Sequence, residues 1–456
     1  MDILMTDRIM ALPNREYRGT IRLLFFLIAI TFILYVYRNV ISVNVEFVLV
    51  LILLISSFTL YKIKDKVPRE IWIWVGLLVL YWLTTLVATF AHESPEKRAL
   101  FVLSVVSLSW VFIGLTIALY KLKPGLDFFW YLMLIGGSIA LSVGVLDAYE
   151  YGWFNSGIGS QRLGDINSHP VKYAVVVNGF FIILLGSLPW ALKKNKWMLS
   201  FIVLLIVALF LTAVLTKSRT AWIGWPEALV GWAIYYFVLF KDSFPKIKYP
   251  KVSFIILIGI VLFSLSQVDF IKKRIADRSS LAAKEINVYL DRESMNSSLG
   301  HRLLSYEIAV QKIPEVVWFG IGEDAFPEFL KLESKHFAKE HFNQDISGFK
   351  YSQLHNQFLM SFLTKGVFVF VSVLLFFVFL IAFFVKRVGI VSKEVKPIAI
   401  AGLIFSISSF LAFLPETPLQ NTDMSTHFFL LCSLLIVFSL IEQKNQNISE
   451  GFSSNG

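Results

Sequence analysis

The chain has 456 residues, a mass of 52.1 kDa and a formal charge of +10; 56% of its residues are hydrophobic, only 16% are charged, and 43 are Phe. Soluble domains run at about 45–50% apolar and about 25% charged, so this composition, with a mean hydropathy of +0.68, excludes an ordinary cytosolic enzyme, a disordered chain and a collagen-like or disulfide-stapled scaffold. What remains is an all-α polytopic membrane protein.

A helix needs roughly 20 apolar residues to cross a bilayer. About twelve runs approach that length: 21–37, 43–61, 71–91, 99–120, 128–148, 171–191, 198–217, 221–240, 253–270, 356–385, 398–416 and 426–442. The first lacks a small-residue cleavage site and reads as a retained span. The seventh and eighth are separated only by Ser218-Arg219-Thr220, a tight re-entry. The long segment 271–354, between the ninth and tenth spans, carries equal numbers of acidic and basic residues. Within it, Ser298 is placed to cap a helix over 302–313, where Leu303, Leu304, Ile308 and Ile313 recur at helical spacing. Pro314 ends that helix, Gly320 and Gly322 mark a turn, and 323–342 reads as a second amphipathic helix. The chain thus divides into a transmembrane bundle over 1–270, a helical lid segment over 271–354, and the last three spans with a tail over 355–456. Cys432, the single cysteine, lies in an apolar run and reads as a small buried hydrophobe, so neither an intramolecular disulfide nor a cysteine metal site is expected.

Orientation follows from Lys and Arg in short loops. With the N-terminus in the cytoplasm, one set of loops holds Lys62, Lys64, Lys66 and Arg69, then Lys193, Lys194 and Lys196, and further on Lys386, Arg387, Lys393 and Lys396. The opposite set holds only Arg38, Lys97, Arg98, Arg162, Lys217 and Arg219. Both termini are therefore expected in the cytoplasm and 271–354 on the trans side. The positive charge faces anionic lipid and requires no nucleic acid.

The chemistry-bearing residues gather at that trans boundary. Arg219 lies in the hairpin, Arg302 near the start of the lid helix, and Arg162 in the loop Gln161-Arg-Leu-Gly-Asp-Ile-Asn-Ser-His-Pro170, with His169 and Lys172 beside it. A guanidinium is a permanent planar fork of donors suited to phosphate, and helix N-termini favour anions. Taken singly, each also reads as an interfacial anchor or a loop charge, and His169 reads as structural. His355 opens the tenth span as His355-Asn356-Gln357; its imidazole titrates near neutrality and can serve as a base or as an orienting acceptor. Glu227, in the eighth span, reads as a structural partner for a nearby cation. No His/Asp/Glu cluster has metal-ligand spacing, and no Gly-rich phosphate loop precedes Lys-Ser/Thr, so neither a metal nor a nucleotide is expected. Three guanidiniums and an imidazole on one face point to a doubly charged, lipid-linked phosphate substrate.

In this order and at these positions, the motifs Ser218-Arg219-Thr220-Ala221-Trp222, Arg302 with Tyr306 four residues on, Pro314, Phe319-Gly-Ile-Gly322, and His355-Asn-Gln-Phe-Leu359 with Gly366 resemble the O-antigen ligases and related Wzy-type polymerases. Tyr306 stands where Trp is commoner in that family. The resemblance implies a GT-C-like glycosyltransferase of the bacterial inner membrane, active on the periplasmic face without metal or cofactor. It implies an undecaprenyl diphosphate-linked glycan as donor. The acceptor is a lipid A-core sugar hydroxyl in a ligase, or a second lipid-linked repeat unit in a polymerase. It assigns Arg219, Arg302 and Arg162 to the diphosphate and His355 to catalysis, with Lys172, His169, Tyr306 and Asn356 in support. The order of motifs is the more ligase-like. A transporter or flippase is the reading of another class, but such proteins are built from repeats with polar residues at the midplane. Here no repeat is found, and the ionisable residues crowd one interface.

Overall fold

The computed structural model describes residues 17–36, 45–92, 110–159, 161–166, 169–218, 220, 224–236, 269–344 and 353–441. Among these there is no strand. The helices are α1 (Arg18–Val36), α2 (Val45–Lys62), α3 (Arg69–His92), α4 (Trp110–Leu122), α5 (Leu126–Glu150), α6 (Trp153–Ser156), α7 (Pro170–Leu185), α8 (Leu188–Lys194), α9 (Lys196–Leu215), α10 (Trp225–Ile234), α11 (Asp269–Leu290), α12 (Ser298–Lys312), α13 (Phe326–Phe342), α14 (Gln357–Lys365), α15 (Val367–Ile390), α16 (Lys396–Phe413) and α17 (Thr422–Leu440).

Among the described residues, five helices (α3, α5, α9, α15 and α16) are long and apolar enough to cross a membrane. A sixth span results if α7 and α8, bent by 56° at Gly186-Ser187, are taken together. Shorter apolar helices cover Val48–Lys62, Trp110–Leu122 and Met424–Leu440. Most of the run predicted at 253–270 and the first part of the run at 99–120 lie outside the described residues.

The chain forms two compact units. One comprises Met1–Leu86, Ser94–Leu229 and Val371–Gly456; the other, Val87–Glu93 and Val230–Phe370. In the first, α7 packs against α5, α9 and α16, α1 packs against α2 and α5, and α16 against α17. With no water-driven force between helices in lipid, such packing relies on close fit. Gly136 of α5 admits the ring of Phe180 from α7, whose edge approaches Phe32 of α1 with centroids 5.2 Å apart. The abundant Phe is spent the same way around Trp74, which meets Phe376 at 5.7 Å, while Phe376 meets Phe429 at 5.5 Å.

The second unit has its own core. Leu304, Ile308 and Ala309 of α12 interlock with Phe326, Leu330, Phe337 and Ala338 of α13, with Tyr289 of α11, and with Leu354, Met360 and Leu363 around α14. The apolar spacing predicted for α12 is present. Its cap is Ser297, whose side chain accepts from Gly300 N at 2.9 Å, so the helix starts at Ser298 and is not capped by it. The chain leaves α12 through a 3₁₀ turn at Ile313–Glu315. Gly320 and Gly322 adopt positive φ, and the second amphipathic helix begins at Phe326. The tenth predicted span, 356–385, is two helices broken at Gly366, whose φ of +82° ends α14 before α15 begins. Apolarity is continuous across that break, so hydropathy could not mark it.

Candidate functional site

In the second unit the chain approaches His355 through Leu354, which is fully buried in the core. His355 itself takes a left-handed φ of +51°, a conformation that costs a non-Gly residue about 1–2 kcal/mol. Three hydrogen bonds hold this turn. The Tyr306 hydroxyl donates to the His355 carbonyl at 2.8 Å. Asn356 then caps α14, its side-chain oxygen accepting from Phe358 N and Leu359 N, both at 3.0 Å; such caps contribute roughly 1 kcal/mol. Arg302 lies four residues before Tyr306 on α12, one turn along the same face. The structure therefore brings His355, Asn356, Tyr306 and the Arg302 face of α12 together.

Behind this site the Phe319-Gly-Ile-Gly322 turn crosses the end of α14. Ile321 N donates to Leu363 O at 2.7 Å and Gly322 N to Thr364 O at 3.0 Å, while Val367 N donates to Val317 O at 2.8 Å. A Cβ on Gly366 would collide with the carbonyl of Trp318, and one on Gly320 with the Thr364–Lys365 backbone. These glycines allow two backbones to touch. The crossing is fastened by Lys365, only 7% exposed, whose Nζ lies 2.8 Å from Glu323. Sequence reasoning missed this pair, because neither residue stands out by spacing. It also missed the mooring of α12 to α11. Arg292 forks onto Glu307 at 2.7 and 3.1 Å, and the Tyr289 hydroxyl donates to Glu307 at 2.6 Å. Hydrogen bonding from Arg292 holds the Glu307 carboxyl below its ordinary range.

The remaining predicted residues belong to the first unit. Arg219 lies outside the described residues, as do Ala221 and Trp222. Their neighbours are placed: α9 ends at Leu215, Lys217 takes a φ of +53°, and buried Thr220 donates its hydroxyl to Glu416 at 3.2 Å. Arg162 donates from Nε to Thr216 O at 2.9 Å, and Lys217 Nζ donates to Gln161 O at 2.5 Å, so the 161–166 loop is stitched to the end of α9. Gly164 N donates to the fully buried Asp147 carboxylate. His169 is exposed at the start of α7. Desolvation by the neighbouring protein, then the Lys172 ammonium, hold its imidazole below the ordinary value; the Glu416 carboxylate opposes them, while Arg162 adds a smaller depressing effect. Glu416, 8% exposed, and Asp165 are thus the acidic groups whose charge acts on His169 against Lys172 and Arg162. No sequence spacing singled Glu416 out, since it sits in a loop between two apolar runs. The Glu227 carboxylate accepts from Ser408 Oγ at 2.9 Å; Arg219, the cation nearest to it in sequence, lies outside the described residues. A hydroxyl satisfies a carboxylate oxygen without a second buried charge.

The described residues thus form helices only, five of them long and apolar enough to cross a membrane, and the second unit carries Arg302, Tyr306 and His355. Residues 204–374 match the family model described as O-antigen ligase. The family comprises ligases and polymerases. The matched stretch contains Arg219, Arg302, Tyr306, His355 and Asn356; Arg162, His169, Lys172 and Glu416 fall outside it. The chain is also 29% identical over 278 residues to a protein of Haemophilus influenzae (strain ATCC 51907 / DSM 11121 / KW20 / Rd) described as uncharacterized. That alignment covers 60% of this chain and 64% of the relative.

Proposed function

We propose that this protein is an O-antigen ligase of the bacterial inner membrane, transferring a glycan from undecaprenyl diphosphate to a sugar hydroxyl of the lipid A core on the periplasmic face. The observation that supports this reading is the bond from the Tyr306 hydroxyl to the His355 carbonyl, which ties the backbone of His355 to α12, the helix that carries Arg302, inside the matched stretch. In the proposed displacement, the acceptor oxygen forms a bond to the anomeric carbon while the bond to the diphosphate oxygen breaks, its electron pair leaving with the diphosphate. The acceptor proton passes to the His355 imidazole, and the anomeric configuration inverts. Arg302, with Arg219 and Arg162, is assigned to the diphosphate, where a guanidinium stabilises charge that grows toward the transition state. Lys172 and His169 support the anionic end of the donor in this scheme.

The test is gel analysis of lipopolysaccharide from a deletion strain complemented with wild-type, His355→Ala and His355→Gln genes. Deletion is expected to strand long glycan on the lipid carrier, wild type to restore ligated lipopolysaccharide, and both variants to fail at normal expression. Cores capped with one repeat unit after deletion would instead identify a polymerase. Near-normal ligation by His355→Gln, which hydrogen-bonds but cannot take a proton at this pH, would reduce His355 to a positioning residue.

A further inference from the structure

Two large apolar side chains of the second unit are uncovered where it meets the start of a membrane-capable helix. Trp318 is 62% exposed and Phe319 is 42% exposed. Their turn is bonded to the first residue of α15 through Val367 N and Val317 O, and the Trp318 ring lies against Phe368 with centroids 5.9 Å apart. Phe368 begins a stripe of exposed side chains along α15, continuing through Val371, Leu375, Val378 and Val385. That spacing keeps one face, and α15 is the most apolar of the membrane-capable helices. Its uncovered apolar face is suited to lipid. At a rise of 1.5 Å per residue, Phe368 to Val385 spans about 26 Å, close to the hydrocarbon thickness of a bilayer, about 30 Å. Exposed Lys386 follows Val385 immediately, a cation suited to the headgroups at one end. Trp318 sits at the other end of the same stripe. An indole there has its apolar ring in lipid and its N–H within reach of water, the placement typical of interfacial aromatics.

We propose that the Val316–Phe319 turn is a lipid-inserted anchor, with Trp318 and Phe319 seated at the boundary between headgroups and acyl chains of a phospholipid bilayer. The Gly320–Gly322 crossing ties this turn to α14, whose opposite end carries His355. The anchor thereby fixes the depth of the His355 site against the plane in which a lipid-linked phosphate lies. The anchoring itself does not depend on the glycan-transfer reading.

The test uses the full-length protein with Cys432→Ala and a nitroxide on Phe319→Cys, Trp318 being retained, in vesicles of phosphatidylethanolamine and phosphatidylglycerol. Collision rates with oxygen, which concentrates in lipid, and with a nickel chelate, which stays in water, are read by electron paramagnetic resonance. The expected result is a clear excess of oxygen over chelate collisions, with the reverse at a control nitroxide on Lys335→Cys, an exposed position of α13. Chelate collisions as frequent at 319 as at 335 would place the turn in water and overturn the proposal. Low collision with both reagents would mean it is covered by protein, and would overturn it equally. A nitroxide on Trp318→Cys repeats the measurement should the label at 319 perturb folding.

Discussion

Tyr306 donates its hydroxyl to the backbone carbonyl of His355, in a turn where His355 already adopts a left-handed φ. The hydroxyl therefore governs where the imidazole originates. Tyr306→Phe keeps the ring and removes that bond, at a stability cost of about 1 kcal/mol. A misplaced imidazole should show mainly in turnover: kcat is expected to fall roughly tenfold, the equivalent of 1.36 kcal/mol, with KM for the lipid-linked donor little changed. Equal kcat in the two proteins would mean the turn holds without the hydroxyl. Glu307 offers a test of the mooring behind the site. Its folded-state value lies below its ordinary one because Arg292 hydrogen-bonds to the carboxylate. The stabilisation is therefore complete above the ordinary carboxylate range and is lost as pH falls through the lowered value. Melting of purified protein in detergent should show wild type above Glu307→Gln at pH 7, with the gap closing on acidification below pH 4. A constant gap would assign the stabilisation to packing. Arg302, Tyr306, His355 and Asn356 stand out in the sequence as candidates because motif spacing marks them. Glu416, Glu323 and Lys365 were not, because each gains its role from a partner distant along the chain.

Elements were legible in proportion to their periodicity. The spacing of Leu304, Ile308 and their neighbours predicted α12, and those residues form its buried face. α11 was not predicted; its sequence, Asp-Phe-Ile-Lys-Lys-Arg-Ile-Ala-Asp-Arg onward, mixes charge into every turn. The break inside the tenth apolar run was missed because an apolar residue satisfies a straight helix and a bent one equally well, whereas the bend depends on Gly366. There φ is +82°, and a Cβ would strike the Trp318 carbonyl and Phe319 N. Gly366→Ala is expected to lower stability by at least about 2 kcal/mol, since strain at such positions alone costs roughly 1–3 kcal/mol. It should also release the Ile321–Leu363 and Gly322–Thr364 hydrogen bonds. Amide exchange would report this as loss of protection at Ile321 and Gly322 with α12 still protected; unchanged protection at both amides would show that the crossing tolerates a side chain.

At the scale of the whole molecule, the strongest signal in the sequence is the segregation of basic residues into alternate loops, from which the positive-inside rule predicts an orientation. The structure adds positions suited to testing it. Lys335 on α13 and Lys393 after α15 are both exposed, and Cys432, the native cysteine, is buried. In a Cys432→Ala background, Lys335→Cys is expected to react with a membrane-impermeant maleimide once the outer membrane of whole cells is opened. Lys393→Cys should react only after the inner membrane is breached. Both sites lie in polar surroundings on opposite sides of the proposed topology, so a difference in reactivity reports the barrier between them. Equal reaction of both in intact spheroplasts would mean leakage, and a Lys335→Cys signal present only after lysis would invert the topology. Inversion would also end the ligase reading, because a lipid A-core acceptor awaiting O-antigen and its polyprenyl-linked donor would then lie across the membrane from His355.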